Sequence, residues 1–148
     1  MLLARARAMV GRMTFRTTIK VRFSDEDHAR IVYYPRFFHF FHVAFEDFFE
    51  SEGVPYRTCL DEGVGWPAVH AESDFESPVR FGDELEIAVD VERLGRTSAT
   101  FRYTGSVAGR RAVRGKIVVA CIDMTSYRAQ EIPAKYRAIF EKHVVTTP

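Results

Sequence analysis

Polar and apolar residues alternate most regularly from Glu84 to Glu92, where Leu85, Ile87, Val89 and Val91 interleave with Glu84, Glu86, Asp90 and Glu92. A period of two places one set on each face of a strand, so this stretch predicts a half-buried β-strand. The same alternation runs over Phe15–Phe23, with Ile19, Val21 and Phe23 set against Lys20 and Arg22, and over "TSATFRYTGSV" through Ala99, Phe101 and Tyr103. The segment from about Trp66 to Phe75 is expected to be extended. "AVRGKIVVACIDM" is the most continuously apolar stretch, which predicts the most central strand. Turns are expected around Pro78 and Gly82, at "LGR" and at "AGR".

Between the first two strands the period changes. From Arg36 to Glu52 the chain reads "RFFHFFHVAFEDFFESE", and its apolar residues cover most of a helical circumference. Such a helix is buried. Pro35 suits its first position, because the missing N–H would have had no intrahelical partner, and Gly53 suits its C-terminal stop. Pro133 opens a short last helix to about His143. One long apolar helix and about five antiparallel strands leave one economical packing: the sheet curls around the helix, in an α+β fold.

Length and composition narrow the function classes. A chain of 148 residues is sized for one domain, and 47% hydrophobic residues, thirteen of them Phe, supply an aromatic core. A net charge of +1 without single-sign blocks gives no reason to expect nucleic acid as a partner. No apolar run approaches the roughly 18 residues of a membrane span. Cys59 and Cys121 form neither a CxxC pair nor a metal-ligand spacing, so they are expected to be reduced thiols in a cytoplasmic protein. The first 13 residues, with three Arg and no acid, are expected to be a mobile tail, leaving residues 14–148 as a single domain.

The chemistry concentrates in "RFSDEDHARIVYYPRFF", Arg22 to Phe38. Asp25, Glu26 and Asp27 crowd between an alternating strand and an aromatic helix, where carboxylates repel one another and resist desolvation. A helix N-terminus carries unpaired N–H groups and partial positive charge. With Tyr34 at the expected N-cap and no donor on Pro35, the Tyr34 N–H is free to point toward a carbonyl oxygen. A carboxylate beside such a donor is a minimal kit for acyl transfer: the donor stabilises an oxyanion while the carboxylate attacks or activates water. Solvated or capping acids are the ordinary alternative for such a loop.

The order of residues adds to this. Arg22, Phe23, Asp25, Asp27, Ile31, Val32, Tyr33, Tyr34 and Pro35 stand in register with the signature of the hot-dog-fold acyl-CoA thioesterases, and the stretch resembles the 4-hydroxybenzoyl-CoA thioesterase family in particular. "DFESPVRFGDELEI" resembles that family's Pro-x-x-x-Gly-Asp turn. The resemblance spans about Thr14 to His143. It implies hydrolysis of an aryl- or medium-chain acyl-CoA, with Asp27 as the catalytic carboxylate and the Tyr34 N–H polarising the thioester carbonyl. It also implies sheets joined edge to edge in a homodimer or homotetramer, with active sites between subunits. No cofactor and no metal ion is expected, nor a nucleic acid or membrane partner.

Two positions depart from the family pattern. Arg30 stands where Gly is usual, so either the loop differs or Arg30 touches substrate; Gly permits positive φ and close approach. His28 follows the catalytic position and is placed to hydrogen-bond Asp27 or to stand in solvent.

Other candidates carry less chemistry. His39 and His42 are three apart on the helix without an evident third metal ligand, which favours a subunit contact or a helix-end hydrogen bond. His70 is expected on a sheet face. Glu46 is the runner-up carboxylate, against plain solvent exposure. Coenzyme A phosphates need cations. Arg93, Arg96, Arg110, Arg111, Arg114 and Lys116 gather at strand turns, and Arg96 matches a basic stretch the family uses for them. Trp66, the single Trp, is expected at a pocket wall or in the core. A non-catalytic acyl-CoA-binding module and an acyl-thioester dehydratase are the competing classes; the dehydratase normally needs a His–acid pair, which is not evident here.

Overall fold

The computed structural model describes residues 13–145. Strand β1 (Phe15–Lys20) leads through a one-turn 3-10 helix (Phe23–Asp25) to α1 (Arg36–Ser51). A short α2 (Tyr56–Asp61) and a two-residue β2 (Val64–Gly65) follow. Four strands come next: β3 (Ala68–Phe75), β4 (Glu84–Leu94), β5 (Ser98–Val107) and β6 (Arg110–Ala120). Strand β7 (Ile122–Asp123) pairs with β2, and α3 (Ala134–Glu141) closes the chain.

The main sheet has five strands in the order β1-β4-β5-β6-β3, paired antiparallel throughout. It curls around α1, whose Phe37, Phe40, Phe41, Phe45, Phe48 and Phe49 are all buried. Each such Phe contributes roughly 1.5–3 kcal/mol by burial, so these six supply a substantial part of the core. Their rings interlock with the inner face of β5: Phe45 meets Phe101 edge-on at 5.0 Å, and Phe41 stacks on Tyr103 at 4.9 Å. Opposite Tyr103 in the ladder lies Gly115, where any Cβ would overlap the Phe41 ring. That glycine lets the helix approach the sheet closely. This architecture is the α+β hot-dog fold.

Several sequence expectations need correction. Strand β6 is not central; β5 is, because two successive hairpins place it between β4 and β6. Phe23 is not on the buried face of β1. The 3-10 turn breaks the alternation after Val21 and leaves Phe23 79% exposed. The N-cap of α1 is Pro35 rather than Tyr34. The helix is also not apolar all round, for His39, His42, Glu46 and Glu50 form an exposed strip at helical spacing. Helix α2 and the β2–β7 pair are too short to leave a periodic signal. Gly53 does terminate α1, with φ +74°. Of the expected tail, residues 1–12 lie outside the described residues; Met13 is held, its N–H donating to Lys142 O at 3.2 Å.

The two ends of the sheet carry different residues. At one end β1 meets the start of β4 (Lys20 opposite Glu84), beside the β5–β6 turn and the end of β3 (Phe75 opposite Val113). The other end carries the β4–β5 turn (Leu94 opposite Ala99) and the beginning of β3 (Ala68 opposite Val119).

Candidate active site

The acidic loop is a set of tight turns held against α1. Asp25 is buried, and one of its oxygens accepts the Arg22 N–H at 2.7 Å while the other lies 3.1 Å from Arg36 Nε in the first turn of the helix. Its backbone carbonyl accepts the Tyr33 N–H at 2.8 Å. The first acid of the triplet therefore builds the loop. Glu26 does likewise: its Oε1 accepts the Phe81 N–H at 2.6 Å and ties the loop to the β3–β4 connection.

Asp27 is the exposed acid. The Arg30 N–H donates to the Asp27 carbonyl and the Asp27 N–H to the Ile31 carbonyl, closing a turn over residues 27–30. Asp27 Oδ1 accepts the Ala29 N–H at 2.8 Å, which fixes the carboxylate and leaves Oδ2 open. His28, also exposed, makes no hydrogen bond to it among the described residues. Arg30 takes φ +60°, the left-handed conformation that Gly would adopt without cost. Arg30 thus holds a conformation that Gly favours, at the expense of strain.

The helix entrance leaves one donor open. Arg36, Phe37 and Phe38 donate their N–H groups to the carbonyls of Tyr33, Tyr34 and Pro35, and the Tyr33 N–H is taken by Asp25. Pro35 has none. From Tyr33 to Phe38, only the Tyr34 N–H has no acceptor among the described residues. It sits at the positive end of α1.

Two clefts flank this point. One of about 520 Å³ is bordered by Asp27, Tyr33, Arg36 and His39. The other, of about 630 Å³, is bordered by Tyr34, Phe37, Phe75 and Val79. The Tyr34 ring lies 6.0 Å from that of Phe75, which in turn lies 5.5 Å from Phe37. Sequence reasoning missed Phe37, Phe75 and the Asp25–Arg36 pair. Arg36, the one cation in an otherwise aromatic stretch, was the signal for the pair; the aromatic cluster had none, because it joins α1 to a strand far along the chain.

The remaining candidates lie elsewhere. Arg96, in the β4–β5 turn, and Trp66, just before β3, are at the opposite end of the sheet from Asp27. The eleven residues of β4 separate the two groups by roughly 30 Å. Trp66 is buried against Phe49, Tyr136 and Phe140 and borders a third cavity of about 590 Å³ under α1. The arginines do not form one cluster. Arg111 and Arg114 pair with Glu76 at 2.6 Å each, Lys116 pairs with Glu92 at 2.9 Å, and Arg110 donates to Pro78 O at 3.2 Å. Glu46 is exposed on α1, 3.7 Å from His42, and borders none of these clefts. His70 faces Glu72 at 3.0 Å on the exposed side of β3.

Known proteins share this fold. A 1,4-dihydroxy-2-naphthoyl-CoA hydrolase of Nostoc punctiforme is 30% identical over 122 residues, 82% of this chain and 82% of the relative. The crystal structure of a thioesterase superfamily protein from Jannaschia sp. CCS1 superposes with a TM-score of 0.85 at 29% identity, over 90% of this chain and 94% of that one. A gentisyl-coenzyme A thioesterase superposes with a TM-score of 0.78 at 25% identity, over 83% and 99% of the two chains. The sequence profile of the thioesterase-like superfamily matches residues 21–140, from the end of β1 to α3, and the chain belongs to that superfamily.

Proposed function

We propose that this thioester hydrolase acts on aryl acyl-CoA substrates in the manner of the 4-hydroxybenzoyl-CoA thioesterases, with Asp27 as its carboxylate and the Tyr34 N–H as its oxyanion donor. The observation that carries this is that one short loop supplies both an open backbone donor at the start of α1 and, in the turn before it, a fixed, half-free carboxylate. The thioester carbonyl accepts from Tyr34 N–H, which is positioned to stabilise the charge that develops on oxygen. Asp27 Oδ2 either takes a proton from an attacking water or attacks the carbonyl carbon itself to give a mixed anhydride that water then hydrolyses, and in both routes coenzyme A leaves as the thiolate. The names of the relatives, two of them aryl-CoA hydrolases, support the aryl class.

A homodimer completes the site. β3 is an edge strand, and Val69 is 63% and Phe75 49% exposed along it, a liability that pairing with a second copy removes. A two-fold axis through β3 runs the two strands antiparallel. The Asp27 end of one subunit then meets the end of its partner that carries Trp66 and Arg96. This accounts for candidates that lie so far apart within one chain, and assigns coenzyme A phosphates to Arg96 of the partner subunit.

The test is thiol release from a panel of aryl, short-chain and long-chain acyl-CoAs, repeated with Asp27→Asn. Aryl turnover that falls on the order of 10²-fold or more in the variant, with an unchanged circular dichroism spectrum, supports the reading. Saturable binding without thiol release would instead mark a binding module, and an Asp27→Asn rate within about threefold of the parent would remove Asp27 from the chemistry.

A further inference from the structure

A carboxylate that attacks the thioester carbonyl cannot also be the base of the next step. Its oxygen is then bound in the mixed anhydride, and the water that opens the anhydride needs another proton acceptor. That acceptor has to stand in the cleft that Asp27 borders.

The cleft, of about 520 Å³, offers few candidates. Glu26 is occupied by the Phe81 N–H at 2.6 Å, and Arg36 is turned to Asp25 at 3.1 Å. Ser24 and Tyr33 bring hydroxyls, which are weak proton acceptors. His39 is exposed and lines the same cleft, and its ring has no hydrogen bond or ion pair among the described residues.

Helix geometry directs His39 toward the acidic loop. It follows Arg36 by three positions and so shares that residue's face of α1. A helical side chain leans back over the turn N-terminal to its own Cα. For His39 that turn is the entrance of α1, whose Pro35 and Arg36 border the cleft together with Asp27. The other nearby histidines are placed differently. His42, one turn further along, lies 3.7 Å from Glu46 and borders the cavity under α1. His28 adjoins Asp27 in the chain but does not line this cleft.

We infer that His39 is the general base of the second half-reaction. In the first half, Asp27 Oδ2 bonds to the acyl carbon, the C–S bond breaks and coenzyme A leaves as the thiolate. In the second, a water oxygen bonds to the acyl carbon while the imidazole takes one of the water protons. The bond to Asp27 then breaks and its carboxylate is regenerated. The acid product keeps the other proton, and the imidazolium gives its proton to solvent. Histidine is the side chain suited to taking and releasing a proton near neutral pH. The inference rests on the thioesterase function proposed above and selects its covalent route.

Rapid-quench thiol release, with mass spectrometry of the quenched chain, compares the parent with His39→Gln on the best substrate of the acyl-CoA panel. His39 is exposed, so the variant leaves the core untouched. His39→Gln is expected to release a burst of about one thiol per active site and then to turn over about 10²-fold more slowly than the parent, with the acyl group found on Asp27. A steady rate within about threefold of the parent overturns the inference. So does a slow rate without burst or acylated chain, which means that His39 serves binding or the first half-reaction. A burst in His28→Gln but not in His39→Gln overturns it as well and gives the role to His28. A parent that releases no thiol from any member of the panel refutes the thioesterase function itself, and the inference falls with it.

Discussion

Arg36 Nε stands 3.1 Å from the buried carboxylate of Asp25, and this contact locks the acidic loop to the first turn of the helix whose N-terminus it faces. Removing the charge leaves Arg36 and the Arg22 N–H with a weaker acceptor. Arg36 is partly exposed, so water replaces some of what is lost. Asp25→Asn is expected to cost about 1–2 kcal/mol in urea denaturation and to reduce thiol release less than Asp27→Asn does. A loss of activity equal to that of Asp27→Asn at unchanged stability would move Asp25 into the chemistry.

Arg30 holds a left-handed backbone conformation that costs a residue with a Cβ roughly 1–2 kcal/mol. Glycine removes that strain but brings a more flexible unfolded chain, worth roughly 0.5–1 kcal/mol in the other direction. Arg30→Gly is therefore expected to be neutral or to stabilise by up to about 1 kcal/mol, whereas Arg30→Val should destabilise. Thermal melts of the two variants check this. If KM for acyl-CoA rises in Arg30→Gly while stability does not fall, the guanidinium contacts substrate.

Arg96 is predicted to bind coenzyme A from across the dimer. Ground-state binding of a phosphate affects KM rather than kcat. Arg96→Ala should raise KM for acyl-CoA, weaken its dependence on salt, and leave a short thioester lacking the nucleotide nearly unaffected. Equal losses on both substrates would mean that Arg96 acts through folding or the interface. The same samples test the assembly: sedimentation at low micromolar concentration should give a dimer, and a species of only 17.0 kDa would separate Arg96 from Asp27 for good.

Glu52 links α1 to the C-terminal segment through Lys142 at 2.8 Å and His143 at 2.7 Å. Burial alone would raise its pKa, but the hydrogen bonds from Lys142 and His143 outweigh that and hold the carboxyl below its ordinary 4.5. A depressed folded-state pKa contributes stability that is fully present above the unfolded value and is lost as pH falls through the folded one. Stability should therefore decline below about pH 4.5 partly through this group. Glu52→Gln should lower the plateau at neutral pH and flatten the acid limb. Parallel curves for the two proteins, measured by urea titration between pH 3 and 7, would exclude it.

Local pattern determined a great deal here. Alternation in Glu84–Glu92 and the Phe-rich run after Pro35 specify a strand and a helix because side-chain direction repeats with a period set by the backbone alone. The count of apolar faces then specifies a sheet wrapped around a helix. The spacing of Asp27 and Tyr34 was legible for the same reason: both belong to one short loop, and few backbone torsions separate them. Tertiary structure decided the rest. Which of three neighbouring acids is buried depends on Arg36 and on the Phe81 N–H, the latter 55 positions from its partner Glu26. That β5 rather than β6 is central follows from connectivity, not from apolarity. The separation of Trp66 and Arg96 from Asp27 is set by the length of β4, and the meeting of Tyr103 and Gly115 beneath Phe41 by strand register. Contacts such as these join residues far apart in the chain, and hydrophobic periodicity, which repeats over a few residues, carries no information about which of them will meet.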